Sequence, residues 1–264
     1  MDLDIKGKRA LITGGSGGIA AAVAKVLHEE GVHLTLTDLE EDGVKASAAK
    51  IGDDVDAIAA DMTDTDDLDA LAERVIGNGG VDIVFHSAGV TGEKGDPLEM
   101  TDEEYHRVWE TNFMSAVRVS KRFVPHMADK GWGRFVCVTS ENAIQPYWDE
   151  AVYNTAKAAL LNWVKGVSQV YGPKGVLMNT VAPAFIESPM TDMMMDQLAE
   201  SKGVSREEAI AEFLETERPY LKLGRRGKPE EVAVVAALLC SNRATFTNGS
   251  AFRVDGGSVE SVNV

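Results

Sequence analysis

Only two cysteines, Cys137 and Cys240, occur in 264 residues. That is too few for a disulfide framework, and Cys137 falls inside an apolar run, so both read as reduced, buried thiols. Positive charge is scarce as well: 26 Lys and Arg stand against 42 Asp and Glu, a formal net charge of −16. An acidic surface argues against nucleic acid and anionic membranes as partners. No apolar run reaches the length of a membrane span. The opening Met1-Asp-Leu-Asp-Ile-Lys6 has neither the basic start nor the apolar stretch of a secretory leader. These absences lead us to expect a cytoplasmic protein with no nucleic-acid and no membrane partner. No linker or internal repeat divides the chain, so residues 1–264 read as one domain, long enough to bury a substantial core.

What the chain does contain is a regular alternation of apolar strands and helical patterns. Strands are expected at 8–13, 32–38, 55–60, 81–86, 133–139, 176–181 and 251–254, from short runs rich in branched and apolar residues. Helices are expected at 21–30, 41–50, 65–77, 102–129, 151–171, 206–216 and 229–240. The last opens on Pro229-Glu-Glu231, with proline in the first turn and acids near the positive end of the dipole. Such alternation means βαβ units with right-handed crossovers. The fold class is therefore α/β: a single-domain Rossmann-type doubly wound parallel β-sheet flanked by helices. The acidic run 61–69 reads as a solvated loop and helix start, and no metal site is predicted.

Three constellations carry chemistry. Thr13-Gly-Gly-Ser-Gly-Gly-Ile-Ala20 joins the first strand to the first helix, the context in which a glycine-rich match binds a dinucleotide. Gly14 allows the tight turn and Gly18 lets the backbone approach a pyrophosphate, while Ser16, Gly17 and Ile19 complete the loop at the helix N-terminus. The second strand ends in Asp38, twenty residues after Gly18, the offset of an acid that accepts from both hydroxyls of the adenosine ribose. A 2′-phosphate there would face a like charge, costing about 4 kcal/mol at ~4 Å and an effective dielectric near 20. Gly17 and Leu39 offer no compensating base, so the cofactor is read as NAD. Finally, Tyr153 and Lys157 stand one helical turn apart, downstream of a strand ending in Ser140. An ammonium at ~4 Å is nearly enough by itself to bring a phenol's pKa down toward neutrality.

With these motifs in order, the chain resembles the short-chain dehydrogenase/reductase family, in its shorter single-domain branch, from about Lys8 to Gly257. The resemblance implies that Asp61 and Met62 flank the adenine ring. It also implies that His86-Ser87-Ala88-Gly89 takes the place of the family's Asn-Asn-Ala-Gly. The two lost amides would have braced the sheet, so a looser local structure is expected, with His86 as a structural strand-end residue. Asn112 matches the helix asparagine that distorts its helix and holds a water on the proton path. Ser140, Tyr153 and Lys157 complete the catalytic set with Asn112. Pro183, Ala184 (usually Gly), Ile186 and Ser188 (usually Thr) match the nicotinamide-lining segment.

The implied activity is hydride transfer between a secondary alcohol and a nicotinamide, with Tyr153 as acid/base, Ser140 holding the substrate oxygen and Lys157 also touching the nicotinamide ribose. A small-molecule alcohol or ketone, moderately apolar and cyclic or of medium size, is the expected substrate. Its candidate contacts are Val90, Ser140, Tyr147, Trp148, Met190 and Met194, under a lid at about 185–223. No basic residue is convincingly placed to clamp a carboxylate or phosphate, Arg218 and Lys222 being the nearest candidates. An NADPH-type 3-ketoacyl-thioester reductase is the alternative, against which Asp38 and the acidic charge both weigh. A non-catalytic dinucleotide sensor would tend to lose part of the catalytic set, whereas all four positions are filled. The resemblance further implies a homotetramer or homodimer; Trp109, Phe113, Leu160 and Trp163 on the long helices fit an interface and a buried core equally well, and the tail 258–264 is a candidate to complete a neighbour's pocket.

Overall fold

The strands assemble in the order β3-β2-β1-β4-β5-β6-β7, all parallel, in the computed structural model, which describes residues 2–262. They are β1 (Arg9–Thr13), β2 (His33–Asp38), β3 (Asp56–Ala59), β4 (Ile83–His86), β5 (Gly133–Val138), β6 (Val176–Pro183) and β7 (Ala251–Val254). β1 pairs with β2 on one side and β4 on the other, Thr13 lying opposite both Thr37 and His86. The order reverses between these neighbours, which opens a crevice at the C-terminal strand ends.

Side chains alternate across the sheet and fill two layers. Ala10, Ile12, Leu34, Leu36, Ile83 and Phe85 face α1 (Gly18–Glu29) and α9 (Pro229–Leu239). Leu11, Val84, Phe135, Cys137 and Met178 face the opposite layer, with α3 (Thr65–Gly77), α5 (Ser115–Asp129) and α6 (Ala151–Tyr171). α2 (Glu41–Ile51) follows β2 and buries Val44 and Ala48 in the first layer. Both cysteines are buried thiols. Asp64 caps α3 by accepting from Asp66 and Asp67, and Asp69 pairs with Arg122, so part of the acidic run has local work. No helix among the described residues is long and apolar enough to cross a membrane.

Two departures from the expected elements matter for the site. The helix expected over 102–129 is three pieces: α4 (Asp102–Trp109), a π-helical turn over Glu110–Met114, and α5. The segment holding Met190–Met195 is a helix, α7 (Pro189–Lys202), packed against α8 (Arg206–Thr216) through Phe185, Met195, Phe213 and Leu221. Ser188 caps it, Pro189 opens it and Gly203 (φ 67°) closes it, a signature visible in the sequence.

Candidate active site

The glycine loop is held so that its backbone lines the crevice. Gly14 (φ 66°) has no room for a side chain, since a Cβ would stand 2.9 Å from the Ser87–Ala88 backbone. Gly17 precedes α1 with no side-chain cap, leaving the helix N-terminus to an anion. Gly18 faces Ser188, whose Cβ would be 3.4 Å from a Cβ added at the glycine. Asp38 Oδ2 accepts from the Ser16 backbone N–H at 2.9 Å and from the Ser16 hydroxyl, while Oδ1 accepts from Leu39 N–H at 2.8 Å. The loop, the open helix end and the fixed carboxylate fit a dinucleotide. Asp61 accepts from Thr63, Met62 is buried, and Ser188 Oγ caps α7 by accepting from Thr191 N–H. The side chain of Leu39 is exposed.

His86 makes the strand end tighter than expected. Ser115 Oγ donates to the Thr111 carbonyl at 2.5 Å, so it accepts from His86 Nε2–H at 3.1 Å. Nδ1 is then the acceptor for the Thr13 hydroxyl at 2.9 Å, and Thr13 Oγ1 in turn accepts from Ser87 and Ala88 N–H. Burial pushes the imidazole pKa down to about 3, with the Lys157 charge adding to it, and the ring stays neutral. One histidine thereby ties β1, β4 and the π turn together, and the looseness expected from the missing amides is not found.

Two of the four predicted catalytic residues, Asn112 and Lys157, meet at Gly89. Asn112 closes on the Val90 backbone, accepting from its N–H at 2.7 Å and donating to its carbonyl at 2.8 Å. A Cβ at Gly89 would lie 2.8 Å from Asn112 Oδ1 and 3.4 Å from Lys157 Nζ, which places both beside that glycine. Lys157 is buried and donates to the Val138 carbonyl at 2.9 Å, and the Tyr153 phenol lies next to Ser140. One expectation fails: Lys157 does not lower the Tyr153 pKa in the protein alone. Its Nζ stands 5.6 Å from the centre of the phenol ring. Burial pushes Tyr153 up to about 12 and Lys157 down to about 8. Desolvation of both charged forms outweighs their attraction until a further charge or hydrogen bond arrives.

The substrate candidates divide. Val90 packs with Val108 and Val152 near Asn112, and Ala184 ends β6. Tyr147 is anchored, its hydroxyl donating to Glu141 at 3.1 Å and its ring stacked under the Arg218 guanidinium at 3.9 Å. Trp148 is 76% exposed and Met190 46%, while Met194 packs into the lid, so these three do not line a closed pocket. A cavity of about 220 Å³ touches Ala184 and Ile186, but its other walls include Leu223 and Arg253, and neither Ser140 nor Tyr153 lines it.

The sequence missed a buried polar cluster behind Ser140. Glu141, Asn142, Glu150, Asn154 and Arg218 are all under 10% exposed. Arg218 donates to Glu150 at 2.7 Å, and Lys94 Nζ reaches the same oxygen at 2.5 Å. Arg218, one of the two possible anion clamps, is thus already paired, and Lys222 is exposed near Glu260. No motif announces this cluster; the only signal was charged residues at 141, 150 and 218 flanking motif positions.

A parallel sheet with a glycine loop after β1 and a tyrosine–lysine helix after β5 defines a nucleotide-dependent oxidoreductase. A family model described as enoyl-(acyl carrier protein) reductase matches residues 14–259. The chain belongs to the short-chain dehydrogenase/reductase family. The 3-oxoacyl-[acyl-carrier-protein] reductase FabG of Vibrio cholerae is 32% identical over 97% of this chain and 98% of its own. L-sorbose reductase from Gluconobacter frateurii, solved with NADPH and L-sorbose, superposes with a TM-score of 0.92 at 33% identity, covering 99% of this chain and all of that one. The 3-ketoacyl-(acyl-carrier-protein) reductase of Brucella melitensis, solved with NADH, gives 0.85 at 27% identity, covering 97% and 99%.

Proposed function

We propose that this protein is an NAD-dependent oxidoreductase that interconverts a secondary alcohol and a ketone. The observation that carries the reading is the placement of Asn112 and Lys157 beside Gly89, with Tyr153 on the same helix as Lys157 and next to Ser140. A bound nicotinamide supplies the hydride acceptor or donor. Tyr153 takes the proton from the substrate hydroxyl, or returns it to the carbonyl. Lys157, already desolvated, holds charge near the phenol and the ribose, Ser140 holds the substrate oxygen, and Asn112 stands at the exit of the proton path. The Asp38 carboxylate, fixed by Ser16, supports NAD over NADP through repulsion of a 2′-phosphate. We place its work in the cytoplasm, as a homotetramer or homodimer acting on small molecules.

The test is a panel of secondary alcohols, polyols and cyclic diols, with NADH formation followed by absorbance. Tyr153→Phe is expected to lose roughly 10²–10⁴-fold in turnover while keeping NAD affinity; turnover retained within a few-fold sinks the assignment. The acyl-carrier-protein reductase relatives favour a second reading, a 3-ketoacyl-thioester reductase. Reduction of acetoacetyl thioester with NADPH alone would establish that reading instead.

A further inference from the structure

Two buried carboxylates stand near Tyr153, each from a different element. Glu141 directly follows Ser140, and Glu150 ends the turn before α6, where its backbone carbonyl accepts from the Tyr153 N–H at 3.1 Å. Glu141 Oε1 accepts from the Tyr147 hydroxyl, but Oε2 is buried and finds no hydrogen-bond partner among the described residues. Carboxylates placed in this way need a counter-charge. Burial works against the Glu150 carboxylate, yet Arg218 and Lys94 outweigh it and hold its pKa below the ordinary range. At Glu141 burial prevails and the pKa is raised, although Arg218 pulls the other way.

The counter-charge comes from outside both elements. Arg218 follows α8, its backbone N–H donating to the Phe213 carbonyl at 3.1 Å. Its guanidinium donates from Nη2 to Glu150 Oε1 at 2.7 Å and brings Nε within 3.8 Å of Glu141 Oε1. One buried cation thus spans both carboxylates. Lys94 pairs with Glu150 and Asp149, but its side chain is partly exposed and screened by solvent. Around the phenol stand Lys157 on its own helix, Ser140 and Glu141 after β5, Glu150 before α6 and Arg218 after α8. Burial is the main obstacle to ionising Tyr153, and Glu150 and Glu141 add to it, whereas Ser140 and Arg218 work the other way.

We infer that Arg218 is a positioning residue for the Tyr153 proton: its single charge offsets Glu141 and Glu150, which otherwise tighten the phenol's hold on it, and this rests on the acid/base role of Tyr153 proposed above. The segment after α8 therefore supplies a charge to the chemistry without touching the reacting atoms.

The phenol reports this balance without any alcohol present. With NAD bound, its ionisation is followed by ultraviolet difference titration, using Tyr153→Phe as the blank. Arg218→Met is expected to lower the Tyr153 acid constant about tenfold, the effect of one unit charge across on the order of 10 Å at an effective dielectric near 20. Arg218→Lys keeps the charge and stays close to the parent. Glu150→Gln moves the titration down in pH, and Arg218→Met combined with Glu150→Gln returns it toward the parent, since one charge of each sign has gone. A Met variant that titrates like the parent, a Lys variant shifted as far as the Met variant, or a double variant no closer to the parent than Arg218→Met overturns the inference. If Arg218→Met does not fold, Glu141→Gln decides, because its amide carbonyl still accepts from Tyr147: the titration moves down in pH, or the inference fails. A protein that shows these shifts yet oxidises no alcohol overturns the proposed activity and leaves the charge balance at Tyr153 standing. One that oxidises alcohols without them does the reverse.

Discussion

Asp38 is the residue on which cofactor choice turns. Its carboxylate is held from two directions by Ser16, so it cannot swing clear of a 2′-phosphate without losing both bonds. Asp38→Ser removes the charge and is expected to narrow the preference for NAD over NADP by at least tenfold in kcat/KM, checked by steady-state kinetics with both cofactors. At this scale the sequence was informative wherever a residue type is bound to a backbone requirement. Gly14 was legible because only a residue without Cβ fits there, and Tyr153 and Lys157 because helical spacing fixes which side chains share a face. Asn142, Glu150 and Arg218 were not legible. Their meaning lies in contacts across the fold, 68 residues apart in the case of Glu150 and Arg218. Trp148 is exposed, and its closeness in sequence to the catalytic loop does not fix the side from which it leaves the backbone.

The element that departs most from its sequence pattern is the π turn at Glu110–Met114. The apolar periodicity over 102–129 reads as one helix because a single extra residue barely disturbs the phase. Insertions of this kind occur mainly at functional sites, and here the turn carries Asn112 and ends next to Ser115, the partner of His86. His86 is neutral and buried, with a pKa of about 3 against an ordinary value of 6.5. The unfolded chain therefore takes up a proton below pH 6.5 that the folded one refuses. The contribution of this group is fully present above pH 6.5 and falls by up to about 1.4 kcal/mol per pH unit as pH drops toward 3. His86→Asn is expected to flatten the acid side of the Tm profile relative to the parent while lowering Tm near neutrality. Differential scanning calorimetry across that range checks both.

For the molecule as a whole, the parallel sheet and its layers followed from the strand–helix alternation, while the lid helix α7 was overlooked in favour of its methionines. The interface candidates separate into two kinds. Leu160 is fully buried in the core, whereas Trp109, Phe113 and Trp163 are only partly covered, with ring centres 4.4 and 6.3 Å apart in sequence order. If the proposed assembly uses this face, Trp109→Lys halves the particle mass measured by light scattering while leaving NAD binding intact. Ser258 and Val259 of the tail are buried in their own chain, with Gln145 donating to the Ser258 carbonyl at 3.0 Å; residues 263 and 264 lie outside the described part. The central position of β1 also bears on time. Thr13 cannot find His86 until more than seventy further residues have been made, and the crevice is finished only when the chain near Ser258 closes behind Tyr147. Sheets joined by such distant partners form slowly. During refolding, helical signal is expected to return well before affinity for NADH, and the lag between the two is the time the last crossing takes.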